Sequence, residues 1–352
     1  MYLKEIKDMS KLDQRIKRQN THNRKSLQNI RVIRALLDLQ LPSNVFIYQL
    51  RKEMSSHHIF IDNTLTRESV IVGLISIGLG IILCTFSAWA MLLIFIGLCF
   101  IIYGYSIHFP LKELDDLYKD LNNYILEKKY NFKFYTEQNL KEKTIKIKDF
   151  PLFNAGNRKN NVHFLLHGNW SIQDQTHPYI IFQYDYINRE MVYVSDGKWE
   201  LKDVRYHLWG IMLENFPIKG ISLSAKQKTA CDLGVKWESS DIRFNQKYQQ
   251  SGISEFELAR FLSPERILYL EKILDYFPGD FYVHPQKSTL CWICDVNLSK
   301  IENHEYWVNT VSDLSDYLEK LSMPNFELFA EMLEHLIIET PKRRSLSPMR
   351  NI

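Results

Sequence analysis

Between Ser69 and Ile107 the chain has no Asp, Glu, Lys, Arg or His, a charge-free run of 39 residues. The first 40 residues lack an apolar h-region, so no cleavable signal peptide is expected. Cysteine is scarce, five in 352 residues. Cys84 and Cys99 lie inside the run, Cys231, Cys291 and Cys294 beyond it. They form no even, regular framework, which argues against a disulfide scaffold and for a reducing, cytoplasmic setting. G-x-x-x-x-G-K-S/T, G-x-S-x-G and H-E-x-x-H are all missing, so no recognisable catalytic motif is present. Neither cofactor nor metal is implied. Cys291-Trp292-Ile293-Cys294 has no second CxxC to complete a zinc site. It reads as a strand, whose side chains three apart face opposite ways.

What is present divides by charge. Residues 1–68 hold 13 Lys/Arg against 7 Asp/Glu, and 108–352 hold 31 against 34, giving +3 overall. A slightly acidic C-terminal part does not fit a nucleic-acid partner. The N-terminal Lys and Arg fit the cytoplasmic flank of a membrane span.

A single helix of 39 residues would be about 58 Å long, against a hydrocarbon core of about 30 Å. Two spans fit, about 69–87 and 89–107, turning around Ser87-Ala88-Trp89. Small residues recur every seven positions: Gly73, Gly80 and Ser87, then Ala90, Gly97 and Gly104. Folding the run at its centre matches Gly73 with Gly104, Gly80 with Gly97 and Ser87 with Ala90. Each pair sums to 177, which predicts a helix–helix seam. Arg51, Lys52 and Arg67 precede the spans and Lys112, Lys119, Lys128 and Lys129 follow them, so both termini should be cytoplasmic. With no ionisable residue inside, nothing suggests a transport path.

The flanks read as helices, over 2–40 with Pro42 as its stop, over "VFIYQLRKEM", and after Pro110 with a stripe of Leu111, Leu114, Leu117, Leu121 and Ile125. From Lys146 the period changes to two. Segments 162–170, 179–187, 191–196 and 204–213 predict an antiparallel meander. Ile242 and Phe244 alternate with polar residues and predict another strand. Ser254 with Glu257 predicts a capping box, and Ser263-Pro264 a second helix start. Residues 280–296 predict a hairpin around Pro285-Gln286-Lys287. The expected fold class is α+β. It divides into a basic helical segment 1–68, a transmembrane hairpin 69–107, a juxtamembrane helix and linker 108–145 and an antiparallel domain with a packed helix 146–298. C-terminal helices 299–340 and a basic tail 341–352 complete it.

Phe182, Tyr184 and Tyr186, then Ser240, Phe244, Asn245 and Tyr248, then Ala259, Leu262, Ser263 and Pro264 trace three patterns in order. These are F-D-Y-x-Y, S-x-x-x-F-N-x-x-F/Y and A-x-x-L-S/T-P. Over about 110–296 and the membrane hairpin, the chain resembles a bacterial two-span membrane family of unknown function with a cytosolic α+β domain. The resemblance implies an inner-membrane protein and carries no chemistry. It departs at Gln183, where the family often has Asp. The acid of this strand is Asp185.

Three roles follow. The anchored domain is expected to bind a protein partner or its own copies at the lipid bilayer, and this predicts exposed apolar stripes on helices 110–128 and 300–338. A sensor of a small ligand or lipid would instead enclose a pocket of Tyr184, Tyr186, Trp209 and Trp237, with Asn245 as a polar contact or as the orderer of a turn. An enzyme would gather titratable groups in a cleft. His163 and His167 are expected on one face of a strand, about 13 Å apart, too far for one metal ion.

Overall fold

A computed structural model describes residues 2–84, 89–135, 149–195, 197–225, 232–302 and 308–338. They form two compact units, one of 2–128 with 308–321, the other of 129–302 with 322–338. The architecture is α+β, with a nine-stranded sheet and ten α-helices among the described residues. Ser87, Cys231 and the tail 341–352 lie outside the described residues.

The first unit is helical. α1 (Tyr2–Asp38) ends before Pro42, and α2 spans Ser43–Met54. α3 (Thr64–Leu83), α4 (Ala90–Ser106), α5 (Lys112–Tyr130, its last two residues in the second unit) and α9 (Val311–Lys320) complete it. Ile30, Ile33, Phe46, Leu50, Leu117, Leu121, Leu314 and Leu318 are all buried. The leucine stripe of α5 therefore serves this unit's own core, as does the apolar face of α9, so neither is an open docking stripe. A capping box of Thr310 and Asp313, missed by the sequence reading, starts α9.

α3 and α4 invert the usual burial order. Gly73, Gly80, Ala90, Gly97 and Gly104 are buried. Leu74, Ile75, Leu79, Phe95, Ile102 and most other large side chains of the pair are exposed. α3 is long and apolar enough to cross a membrane, and α4 is a shorter apolar helix of 17 residues. α3 and α4 pack along their small residues in a register that differs from the expected sum of 177. A Cβ on Gly73 would lie 2.7 Å from the carbonyl of Gly97, and one on Gly104 would lie 3.2 Å from that of Thr66. Gly80 faces Ala90 and Ile94. Gly73 and Gly97 lie against each other's backbone carbonyls, and Ile77, Ile94 and Ile101 fill the space beside the glycines, so small residues let the two backbones approach closely. At the base of the pair, Asn63 imitates a strand partner. Its Nδ2 donates to the Phe109 carbonyl at 2.9 Å, and its Oδ1 accepts from the Phe109 N–H at 3.0 Å.

In the second unit the strand order is β1-β2-β3-β4-β9-β8-β5-β7-β6, antiparallel throughout. The strands are β1 (Phe132–Phe134), β2 (Lys159–Ile172), β3 (Gln175–Ser195), β4 (Lys198–Glu214), β5 (Ile221–Ala225), β6 (Val235–Trp237), β7 (Tyr248–Gly252), β8 (Gly279–Val283) and β9 (Thr289–Cys294). The sheet thus begins at 132, before the expected boundary at 146. The segments 179–187 and 191–195 belong to one strand of 21 residues, and Asp196 lies outside the described residues. Within that strand Asn188 pairs with Val204, and its side chain accepts from the Asn157 N–H. The hairpin around 285–287 is present between β8 and β9.

Ile242–Lys247 is a helix, α6, and not a strand. Asp241 Oδ1 accepts from the Arg243 and Phe244 N–H groups at 2.8 and 3.1 Å, and this N-cap overrides the short alternation. α7 spans Glu255–Phe261, with Ser254 at the cap position but no side-chain cap bond. α8 (Pro264–Tyr276) starts at Pro264 as expected, and α10 spans Pro324–Ile338.

Both faces of the sheet's centre are covered. Phe150, Phe153, Phe164, Phe182, Tyr184 and Met212 cluster on one, the Phe182 face. On the other, Ile181, Ile211, Trp292 and Phe281 stand in register across β3, β4, β9 and β8. Phe329 of α10 caps this row with its ring 5.5 Å from Trp292. The apolar face of α10 is therefore spent on the sheet. Gly210 is required here, since a Cβ would sit 2.3 Å from the Trp292 carbonyl.

Candidate functional site

Strand pairing sets side chains in rows, and successive rows alternate faces. On the Ile181 face, moving outward along β3 and β4, the rows are Gln183 with Trp209, Asp185 with His207, Ile187 with Arg205, and Arg189 with Asp203. β2 adds His163 beside Gln183, Asn161 beside Asp185 and Lys159 beside Ile187. Polar side chains from three strands therefore converge past the edge of the core.

Asp185 is their centre. It accepts from Gln183 Nε2 at 2.9 Å and meets His207 Nδ1 at 2.8 Å and His163 Nε2 at 3.4 Å. Asn161 Nδ2 lies 3.1 Å from the same His163 nitrogen. Partial burial opposes ionisation of Asp185. The hydrogen bonds from Gln183 and His207 and the charge of the two histidines outweigh it and hold the carboxyl below its usual range. Held at Nδ1, His207 leaves Nε2 free for a ligand or a proton. Lys159 and Arg205 line the same cleft of about 170 Å³, and neither has an ion-pair partner among the described residues. The arrangement can bind an anion or exchange a proton. The residues that line it include no Ser, Thr or Cys nucleophile. Among the described residues no group of three His, Cys, Asp or Glu is placed to hold a metal ion.

The aromatic pocket does not assemble. Tyr184 is buried on the Phe182 face, its hydroxyl donating to the Phe153 carbonyl at 2.8 Å. Tyr186 lies on that face too, stacked on Tyr206 with ring centroids 4.8 Å apart. Trp209 pairs with Gln183 and so faces the opposite way. Trp237 is on β6, at the far edge of the sheet. Asn245 orders a turn: its Oδ1 accepts from the Ser239 N–H, the Ser239 hydroxyl and Gln250 Nε2, and its Nδ2 donates to the Ser239 carbonyl.

His163 and His167 are not on one face. A bulge between Phe164 and Leu166 inserts a residue, so His163 joins Asp185 while His167 pairs with Ile180 on the Phe182 face. A second cavity, about 300 Å³, lies between Phe150, His167, Met212, Glu214 and Lys287. Cys291 and Cys294 are buried thiols in β9.

Sequence reasoning noted Asp185 but missed both histidine partners. His207 is 22 residues away, and only the register of β3 with β4 brings it near. No family model, curated protein or solved structure matches this chain.

Proposed function

We propose that this is a two-span anchor protein of the bacterial inner membrane, akin to the two-span family it resembles. Its α+β domain sits on the cytoplasmic side as a binding module for proteins. The observation that carries this reading is the inversion in α3 and α4, with small residues inside and large apolar residues outside. In water such a surface costs about 25 cal/mol for each Å² of apolar area exposed, and in a bilayer that cost vanishes. Lengths of 20 and 17 residues fit spans at the short end of the range. The positive flanks support a topology with both termini in the cytoplasm. Reporter fusions test this. A green fluorescent protein should glow at either end of the full chain, and the protein should stay with membranes in alkaline carbonate. Alkaline phosphatase activity at the C-terminal fusion, or release by carbonate, would sink the reading.

The Asp185 cleft favours a second reading, a sensor of a small anionic ligand. Lys159 and Arg205 supply fixed positive charge beside two histidines that Asp185 holds in place. Inorganic phosphate titrated against the ring signals of His163 and His207 should shift both. Unmoved signals at 10 mM, an added concentration of about physiological scale, would reject it.

A further inference from the structure

Where α10 meets β2 and β3 on the Ile181 face of the sheet, a cavity of about 340 Å³ remains within the second unit. Its walls are of two kinds. Tyr130, Trp170, Tyr179 and Phe326 are aromatic, and Glu327, Glu331 and Glu334 are acidic. Phe326 is the hub of the rings, with the centroids of Tyr130, Tyr179 and Trp170 at 5.6, 5.8 and 6.3 Å. No Lys, Arg or His is among the described residues that line the cavity.

The glutamates stand at i, i+4 and i+7, which stacks them on one face of α10. Like charges at that spacing repel, and Glu331 and Glu334 lie toward the negative C-terminal end of the helix. Glu327 has its counter-charge: it pairs with Lys129 at 3.2 Å and accepts from the Tyr130 hydroxyl. Lys129 Nζ also lies 5.1 Å from the Tyr130 ring centroid. Beside the cavity the chain thus holds an ammonium between a carboxylate and an aromatic ring. Glu331 and Glu334 have neither a hydrogen bond nor an ion pair among the described residues.

A second observation comes from the sheet. Tyr179 shares the face of Ile181 on β3, so its side chain is turned toward α10 and the cavity that it lines. It is 3% exposed, and its hydroxyl has no hydrogen-bond partner among the described residues. Gly168 makes room for it, since a Cβ there would lie 2.7 Å from the hydroxyl oxygen. A buried polar group left unpaired is costly, and it marks a place where a partner binds.

We propose that this cavity binds an organic ammonium ion, a small alkylamine in its protonated form. Glu331 and Glu334 accept its N–H groups, and the rings of Trp170 and Phe326 take its positive charge and the carbons beside it. The Tyr179 hydroxyl gains the acceptor role it lacks. Three carboxylates refuse an anion, a neutral ligand leaves two of them unmatched, and a bare metal ion leaves the rings unused. The site is separate from the Asp185 cleft and rests on neither reading above.

The test is a titration of the full-length protein in mild micelles with 1,4-diaminobutane, at constant ionic strength. The indole N–H resonance of Trp170, identified by its loss in Trp170→Phe, reports binding. It should shift saturably, with a Kd of about 1 mM or tighter. 1,4-Butanediol, of the same length and without charge, should leave it in place. Glu331→Gln combined with Glu334→Gln should weaken binding at least about tenfold. Glu238→Gln combined with Glu265→Gln, two exposed carboxylates outside the cavity, should change it less than about twofold. Tyr179→Phe should fold as well as the parent, because the lost hydroxyl has no partner, and should bind more weakly by about threefold or more. A resonance unmoved at about 10 mM amine, an equal shift with the diol, or full affinity in the Glu331 and Glu334 double variant overturns the proposal. Should that variant not fold, undiminished affinity in Tyr179→Phe overturns it instead.

Discussion

Two glycines in α3 and α4 separate a packed seam from a chance spacing. A Cβ on Gly97 would meet the Gly73 carbonyl oxygen and Ile77 Cγ1, each at 2.6 Å. A Cβ on Gly78 would meet nothing within 4 Å. Ile77 can rotate, but a backbone carbonyl cannot, so Gly97→Ala must push the helices apart. Restoring ordinary contact needs about 0.8 Å, the difference between 2.6 and about 3.4 Å. A gap of that size forfeits about a quarter to a half of each contact's attraction. The comparable overpacking of protein cores costs about 1–3 kcal/mol. Gly78→Ala keeps every contact and gains up to about 1 kcal/mol of helix propensity. Hydrogen exchange followed by mass spectrometry, on the whole protein in mild micelles, reads the difference. If pair opening governs exchange, 1–3 kcal/mol speeds it about 5- to 150-fold in peptides from α3 and α4. Gly78→Ala should leave it unchanged or slow it. Equal effects of the two substitutions would refute the interleaved seam.

Two further perturbations test the second unit. Asp185→Asn removes a half-exposed charge from its two histidines and should cost about 1 kcal/mol at pH 7, lowering Tm by roughly 2–4 °C. Because the folded carboxyl lies below its usual range, its stabilisation is present above about pH 4 and lost as pH falls through the folded value. The melting curves of variant and parent should therefore converge as the pH falls below that folded value, and a gap that persists once the carboxyl is protonated would refute the ionic account. Asn245→Ala removes three hydrogen bonds with Ser239 and one with Gln250. It should cost about 2–4 kcal/mol, and a Tm within 1 °C of the parent, less than about 0.5 kcal/mol, would argue against a structural role.

Legibility followed distance along the chain. The heptad of Gly73 and Gly80 and of Gly97 and Gly104 is a one-dimensional pattern, so the sequence predicts which faces meet. The offset between them depends on where isoleucine side chains find room, and the pattern does not contain that. The meander was readable from alternation, although two of its expected segments are one strand. At 242–247 two local signals competed, and the Asp241 cap outweighed three residues of alternation. The candidate site was the least readable part. It needs Asp185, His163 and His207 from three strands, and a single bulge sets His163 on the face of Asp185 and His167 on the other. The expected aromatic pocket failed for a related reason. Tyr184 and Trp209 lie in adjacent rows of two paired strands, and adjacent rows face opposite ways.

In the rest of the chain, large apolar side chains mostly point into a core. α3 with α4 and the outer end of the β3–β4 pair, a two-stranded ribbon on which Met191, Tyr193, Trp199 and Leu201 are exposed, break that rule over whole faces rather than single residues. Exposed apolar residues scattered one at a time need no explanation, but contiguous faces do. If these faces are functional, changes there should leave stability alone, while equal changes in the core should not. Trp199, 60% exposed, and Trp292, fully buried, make the comparison within one sheet. Trp292→Ala removes a side chain packed on Phe281 and Phe329, with ring centroids at 5.6 and 5.5 Å, and should cost about 3–5 kcal/mol. Trp199→Ala should stay within about 0.5 kcal/mol of the parent in micelles. Chemical denaturation of both variants checks this. A large loss from Trp199→Ala would mean that the ribbon's aromatic pair holds the fold of its own chain, and the surface would then have a structural cause.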